Sequence, residues 1–421
     1  MTGTESKTTF DATTIRLLLA MFIVMIVDGV DLQMLALALP NIMKEMSLTN
    51  LVGGSLATAT MMGMLIGGIG GGWLADRIGR VKVCFYSIIV FSVATALIAA
   101  TTCFWQVLVL RFIAGAFIGA CFTPSQTVTA EYAPTKWRAT IVGTNQAGWS
   151  LGYVVAGIMS SYIVPSFGWR ALFLASVVPG VITLALMLGL KDAPSFLANR
   201  EAQKKSGKRE NEYTQIWSDK KIRYTFIAWS FTAVFLQFGY YGVNTWLPSY
   251  LVKDLGVNLK NMGWFIAATY TAMVLGKTGF GFLGDRFGRK VIWLIAGVGT
   301  AVTLPLVVYS ATPGNIAYLL IIAGLLFGAP WGVNGAYMTE SFPTGIRGTA
   351  MGTAHNIGKF GAMSAPLLIG AVSAQYSIAL GIGLMGLTYL ICGLIPPIFI
   401  KENQYDPNAV AVDNPAPKEA A

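Results

Sequence analysis

Twelve apolar runs follow one another along this chain, each close to the roughly 20 residues that a helix needs to cross a bilayer. Their limits read as 15–40, 51–75, 82–102, 105–128, 139–163, 169–190, 223–250, 261–284, 290–310, 315–338, 347–371 and 377–400. Inside hydrocarbon each backbone N–H and C=O must find its partner within the segment, so such runs fold as helices. The pattern predicts an all-α integral membrane protein with twelve transmembrane helices. Only 11% of the 421 residues are charged and 55% are hydrophobic, against about 25% charged in a soluble chain. The first run is longer than the roughly 7–15-residue core of a signal peptide, so it reads as a retained helix.

The net charge of +10 is distributed by topology. Arg77, Arg80 and Lys82, Lys136 and Arg138, Arg286, Arg289 and Lys290, and Arg347 fall in alternate loops on one side. The opposite loops carry only Lys44, Arg170, Lys253 and Lys260. By the positive-inside rule the first side is cytoplasmic, and both termini with it. The expected setting is the cell membrane, crossed many times, with no nucleic-acid partner. The chain divides into a tail (1–14), a six-helix half (15–190), a polar central loop (191–222), a second half (223–400) and a second tail (401–421). Cys84, Cys103, Cys121 and Cys392 lack metal or redox spacing and read as small buried apolar residues. No nucleophile–base set or metal cluster is recognisable, so neither an enzyme nor a cofactor is expected, and the chain reads as a monomer.

The halves repeat each other. GWLADRIGR at 72–80 returns as GFLGDRFGR at 281–289, and EYAPTKWR at 131–138 returns as ESFPTGIR at 340–347. Both pairs are 209 positions apart (281 − 72 and 340 − 131). Helix-ending glycines and orienting arginines explain one such motif, but not two at one offset. Duplication predicts two pseudo-symmetric six-helix halves around a central site, a known transporter architecture.

Few charges lie inside the spans: Asp28, Asp31, Arg111, Lys277, His355 and Lys359. An Asp at a helix centre costs about 2.5–3.5 kcal/mol to insert, and intramembrane charges face a cavity or one another. Asp28 and Asp31 are three apart and share a helix face. Two carboxylates in a poorly hydrated site resist joint ionisation and titrate as a unit, which suits a proton carrier. The alternative is a fixed ion pair between Asp31 and Arg111, which lie at similar depths. The repeat mates of the two acids are Gln237 and Tyr240 (28 + 209 and 31 + 209). Acid in one half and base in the other suits an anionic ligand drawn between them. Lys359 lies near the midplane. Lys277 either faces the cavity or snorkels toward the cytoplasm. His355 bonds a ligand, shuttles a proton, or satisfies Asn356 and a backbone carbonyl. Tyr240, Tyr241, Asn244, Trp331 and Asn334 offer flat faces and polar groups for a conjugated acid, or simply pack. Trp246, just before Pro248 near the outer end, reads as a packing or interfacial-belt residue.

The chain resembles the major facilitator superfamily over nearly its whole length, carried by the G-x-L-x-D-R-x-G-R element between spans 2 and 3. Within it, DGVDLQ at 28–33, YYGVNTWLPSYL in span 7 and GWRALF before span 6 are similar to the aromatic acid/proton symporter family, which takes benzoate-, hydroxybenzoate- and muconate-type acids. The resemblance implies proton-coupled uptake of an organic carboxylate by alternating access. It also implies a cytoplasmic gate latch built on Asp76, Arg77 and Arg80 with their mates Asp285, Arg286 and Arg289, joined by Glu131, Arg138, Glu340 and Arg347. Members of that family often carry Arg where this chain has Lys359, and Lys cannot fork onto a carboxylate. Gly143, Gly148, Gly152 and Gly157 in span 5 are not interrupted by proline as in the superfamily's antiporters, which favours symport. A sugar or polyol symporter, a drug or metabolite exporter of the same fold, and a non-transporting receptor are the rival readings. The intramembrane cations fit the first two less well, and the tail after Ile400 is too short for a signalling domain.

Overall fold

The computed structural model describes residues 12–132, 138–190, 192, 212–342 and 346–400. All of the described regular structure is helical: α1 (Ala12–Glu45), α2 (Asn50–Ile78), α3 (Arg80–Ile98), α4 (Phe104–Tyr132), α5 (Arg138–Ala175), α6 (Val177–Met187), α7 (Glu212–Ser218), α8 (Lys220–Lys253), α9 (Leu259–Phe287), α10 (Arg289–Ser310), α11 (Ile316–Glu340), α12 (Arg347–Gln375) and α13 (Ile378–Phe399). The predicted spans agree with these helices to within about a turn. Nine described stretches are long and apolar enough to cross a membrane, and one of them, Gly143–Met187, is 45 residues long. That stretch holds two spans, because α5 breaks at Gly168, whose φ of 80° is non-helical. With α1 and α9 the spans number twelve.

The repeat is visible in the packing. In the first half α1 lies on α5 and α2 on α4; in the second, α8 lies on α12 and α9 on α11. Single positions obey the 209 offset as well. Gly79 and Gly288 (79 + 209) join adjacent helices with φ of 107° and 96°, a backbone region that favours glycine. At the opposite end, Glu45 accepts from Arg170 Nη1 at 2.7 Å and from Trp169 Nε1 at 2.7 Å. Its mate Asp254 (45 + 209) accepts from the backbone N–H of Ala379 (170 + 209) at 3.1 Å. The Trp169 indole and the Arg170 guanidinium hold the Glu45 carboxyl below its usual range.

The halves meet along two matched crossings, α5 on α9 and α2 on α12, with α1 against α8 between them. Both crossings are closest toward the Glu45 end. A Cβ at Gly263 would lie 2.5 Å from the Gly157 carbonyl oxygen, and one at Gly54 would lie 2.5 Å from that of Pro366. These are the same contact twice, since 54 + 209 = 263 and 157 + 209 = 366. Small residues permit this approach, as is usual between membrane helices. Toward the Gly79 end, the mates Gly143 and Gly352 of α5 and α12 are exposed, and a Cβ there would touch nothing within 4 Å.

Two sequence expectations change. The end of the 191–222 loop is not loop: α7 forms there, burying Ile216 and placing the Trp217 ring 6.0 Å from Phe226. Asp192 in the same segment accepts from Val81 N at 2.8 Å and so holds the start of α3, while residues 191 and 193–211 lie outside the described residues. Cys103 is exposed, unlike the other three cysteines, because it sits in the short connection before α4. Of the two readings of Trp246, packing holds: the residue is fully buried and donates to the Pro366 carbonyl at 3.0 Å, tying α8 to α12. Residues 1–11 and 401–421 of the two tails lie outside the described residues.

Adding a methyl group against a backbone carbonyl costs about 1–3 kcal/mol. Gly54→Ala and Gly263→Ala are therefore expected to melt several degrees below wild type in detergent. The repeat-matched controls Gly70→Ala and Gly279→Ala meet open space and should melt at or above wild type. Equal melting of all four variants would show that the crossings are not tight.

Candidate functional site

The buried charges gather where α1 passes α2, α3 and α4. Arg111 and Asp31 are both fully buried, and Arg111 Nη1 lies 3.2 Å from Asp31 Oδ2. The same nitrogen reaches the Asp31 backbone carbonyl at 3.4 Å, and Nε donates to Thr60 Oγ1 at 3.2 Å. The Thr95 hydroxyl donates to the other carboxylate oxygen. The ion pair expected from the depths of the two residues is formed, and threonines on α2 and α3 complete it. Neither threonine was recognisable from sequence, because a hydroxyl in a helix usually bonds its own backbone.

Asp28, one turn earlier on α1, is fully buried, and neither of its carboxyl oxygens has a hydrogen-bond partner among the described residues. Its neighbour Gly29 lets α1 approach α5 so closely that a Cβ there would collide with the Trp149 carbonyl. The two aspartates thus occupy opposite situations: Asp31 is paired with a cation, and Asp28 is enclosed without a donor.

The cations of the second half reach toward the first. Lys277 Nζ donates to Ser150 Oγ at 2.7 Å and lies 6.0 Å from the centre of the Tyr240 ring. It does not snorkel out of the bundle. Lys359, only 6% exposed, donates to the Met64 carbonyl at 3.0 Å. Asn356, one turn earlier on α12, stands close to Gly68 of α2. His355 lies between aromatics of both halves, stacked on Phe122 with ring centres 6.1 Å apart and edge-on to Trp331 at 6.5 Å. Its carbonyl accepts from Gln237 Nε2 at 2.8 Å, so Gln237 binds α8 to α12.

The remaining candidates form an aromatic wall. Tyr240 stacks on Phe327 at 5.2 Å and meets Tyr241 and Trp331 edge-on. Asn244 accepts from the Tyr270 hydroxyl, while its own amide nitrogen has no partner. Asn334 is half-buried on α11, one turn after Trp331. Tyr270 meets Tyr153 of the first half with ring centres 4.6 Å apart. A narrow cleft of about 20 Å³ lies beside this contact, lined by Gln33, Thr60, Tyr153, Tyr241 and Asn244 among others. Sequence reasoning missed Phe122, Ser150, Tyr153 and Tyr270. Ser150 carried a signal, since it is the repeat mate of Lys359 (150 + 209).

The sequence matches the Major Facilitator Superfamily over residues 21–276 and 250–419. The chain belongs to that superfamily. It is 45% identical over 388 residues to the cis,cis-muconate transport protein of Acinetobacter baylyi, covering 92% of this chain and 94% of that one. It is 27% identical over 400 residues to a 4-hydroxybenzoate transporter of Pseudomonas putida, covering 87% and 86%. Among solved structures it superposes on a D-xylose-proton symporter with a TM-score of 0.77 at 19% identity, covering 92% and 98%. The two sequence relatives are named for transport of muconate and of 4-hydroxybenzoate. They are transporters, and this chain is not an enzyme.

The loop residues implied by family resemblance are partly described. Arg289 meets Glu340 at 3.4 Å at the Gly79 end, which ties α10 to α11 within one half. Arg77 lies over the Trp73 ring at 3.6 Å and Arg286 near that of Phe287 at 5.6 Å. Arg80 begins α3 beside the Gly79 turn. The side chains of Asp76, Glu131, Arg138, Asp285 and Arg347 lie outside the described residues.

Removing one partner of a buried ion pair costs about 3–5 kcal/mol, because the other charge is left uncompensated. Arg111→Gln is expected to lower the detergent melting temperature sharply. Asp31→Asn in the same chain should restore part of the loss, as coupled partners do in a double-mutant cycle. Strictly additive losses would mean that the two side chains act independently.

Proposed function

We propose that this transporter imports a small organic carboxylate, of the aromatic-acid or muconate type, together with protons by alternating access. The observation that carries the reading is the contrast between the two aspartates. An ionised carboxylate in a buried site without a donor costs several kcal/mol. Asp28 stands in such a site, whereas Asp31 already has Arg111 and Thr95. Asp28 is therefore the group whose charge must come and go with a proton, and Asp31 is the fixed counter-charge that holds Arg111.

Substrate charge is met from the other side of the cleft. An anion leaving water needs at least one cation to offset its transfer cost. Lys277 and Lys359 supply two, with Tyr240, Tyr241 and Trp331 as faces for a conjugated spacer and Asn244, Asn334, Asn356 and His355 as polar contacts. The 45% identity to a protein named for cis,cis-muconate transport supports the same substrate class. The Gly79 end, where the basic loops gather, and both termini are then cytoplasmic, which the positive-inside rule supports. On this reading the halves 15–190 and 223–400, joined by the central loop, rock about the α5–α9 and α2–α12 crossings, and the D-R-x-G-R loops latch the cytoplasmic side. The working unit is a monomer in the bilayer.

Two measurements in proteoliposomes test this. Asp28→Asn is expected to abolish accumulation driven by an imposed pH gradient while preserving exchange of labelled for unlabelled acid. Accumulation at the wild-type level would remove Asp28 from the proton path. Lys359→Ala should raise the half-saturating acid concentration roughly ten-fold, since a hydrogen bond to a charged group contributes about 1.5–3 kcal/mol. An unchanged value would move the carboxylate site elsewhere.

A further inference from the structure

The two intramembrane lysines hold reciprocal places in the repeat. Lys277 of α9 is the mate of Gly68 in α2 (277 − 209), and Lys359 of α12 is the mate of Ser150 in α5 (359 − 209). Each ammonium reaches across the boundary to the region of the other lysine's mate. Lys277 Nζ bonds Ser150 itself, and Lys359 Nζ bonds the Met64 carbonyl, 3.1 Å from where a Cβ on Gly68 would stand. A Cβ at Gly68 would crowd the ammonium, which would have to shift by a few tenths of an ångström. Two bars cross between the halves at matched depths, α9 to α5 and α12 to α2.

Both bars lie on the Gly79 side of the cleft. Tyr153 and Thr60, which line the cleft, stand about one turn nearer the Glu45 end than Ser150 and Met64. The glycine crossings hold the halves together at the Glu45 end, so the bars bound the path toward the Gly79 end. Neither bar includes an anion. A hydroxyl and a peptide carbonyl are neutral acceptors, and a carboxylate makes a charge-assisted bond to the same ammonium that is roughly twice as strong.

We propose that Lys277–Ser150 and Lys359–Met64 are paired crossbars, opened when the two carboxylates of one substrate draw each ammonium from its neutral acceptor. The substrate class that does this is a dicarboxylate with a rigid apolar spacer, because the ammoniums serve the two matched crossings and are not clustered on one helix. A monocarboxylate frees one bar and leaves the other across the path. Ser150 is a positioning residue: it holds Lys277 in waiting and takes no part in gripping the anion. This inference rests on the carboxylate reading above.

The test compares uptake of a six-carbon conjugated diacid with that of its monomethyl ester in proteoliposomes. Wild type should favour the diacid by roughly ten-fold or more, on the order expected for one charge-assisted contact. Ser150→Ala removes one bar, so ester uptake should rise roughly five-fold and the preference should narrow, while Ser150→Thr, which restores the hydroxyl, should restore it. A second readout needs no transport. With Cys103→Ser in the background, Thr245→Cys reports access to the cleft through labelling by an impermeant thiol reagent from the Gly79 side. Ser150→Ala should speed that labelling without substrate, and in the otherwise wild-type protein the diacid should speed it where the ester does not. Acid transport with Ser150→Ala indistinguishable from its parent in both readouts would overturn the crossbars alone. Uptake of neither acid by wild type would instead overturn the carboxylate reading.

Discussion

A bilayer interior offers no water to a polar group, and each feature of this protein's centre answers that constraint. Backbone groups are satisfied within the helices, which is why the fold is helical throughout its described regular structure. The side chains that could not be removed are met by partners. Arg111 meets Asp31 and Thr60 through Nη1 and Nε, although its Nη2 has no partner among the described residues; Lys277 meets Ser150, and Lys359 the Met64 carbonyl. Asp28 stands apart, enclosed with no partner on either oxygen. The lysines find neutral acceptors and Asp31 finds a cation, so Asp28 is the acid at this centre for which the described residues supply no hydrogen-bond partner.

The duplication organises the rest. Offsets of 209 relate turns, caps, crossings and cation sites throughout the bundle. Gly115 of α4 lies against the Thr60 carbonyl of α2, and the mates Gly324 and Thr269 repeat that contact between α11 and α9. Symmetry of this kind makes the two inter-half crossings mechanically equivalent, which a rocking motion about a central site needs. Function enters where the symmetry fails. Asp28 and Asp31 become Gln237 and Tyr240, and the lysines replace a glycine and a serine. One half holds the acids, with Arg111 paired to Asp31, and the other holds the lysines.

On the crossbar proposal, the two roles of the lysines follow from their reach. A lysine long enough to bond the opposite half is also long enough to retract onto an anion in the cleft. Arginine at either place would hold a carboxylate in a fixed fork. The flexible ammonium trades that geometric precision for the ability to exchange a neutral partner for a charged one.

Much of this was legible without coordinates. Spans, approximate helix ends, the duplication and the short set of intramembrane charges follow from hydropathy and from a repeated offset, because a membrane permits few alternatives. The Asp31–Arg111 contact could be expected from depth alone. What tertiary structure decided was which partner each remaining group takes. Hydropathy cannot tell that Trp246 is buried against Pro366 and not at an interface, that Gln237 bonds a backbone carbonyl and not an open cavity, or that Lys277 crosses to Ser150 instead of snorkelling. Those outcomes depend on the rotation of each helix about its axis and on how closely two helices approach. Both are set by glycines and side-chain packing between segments more than a hundred residues apart, which no local pattern records.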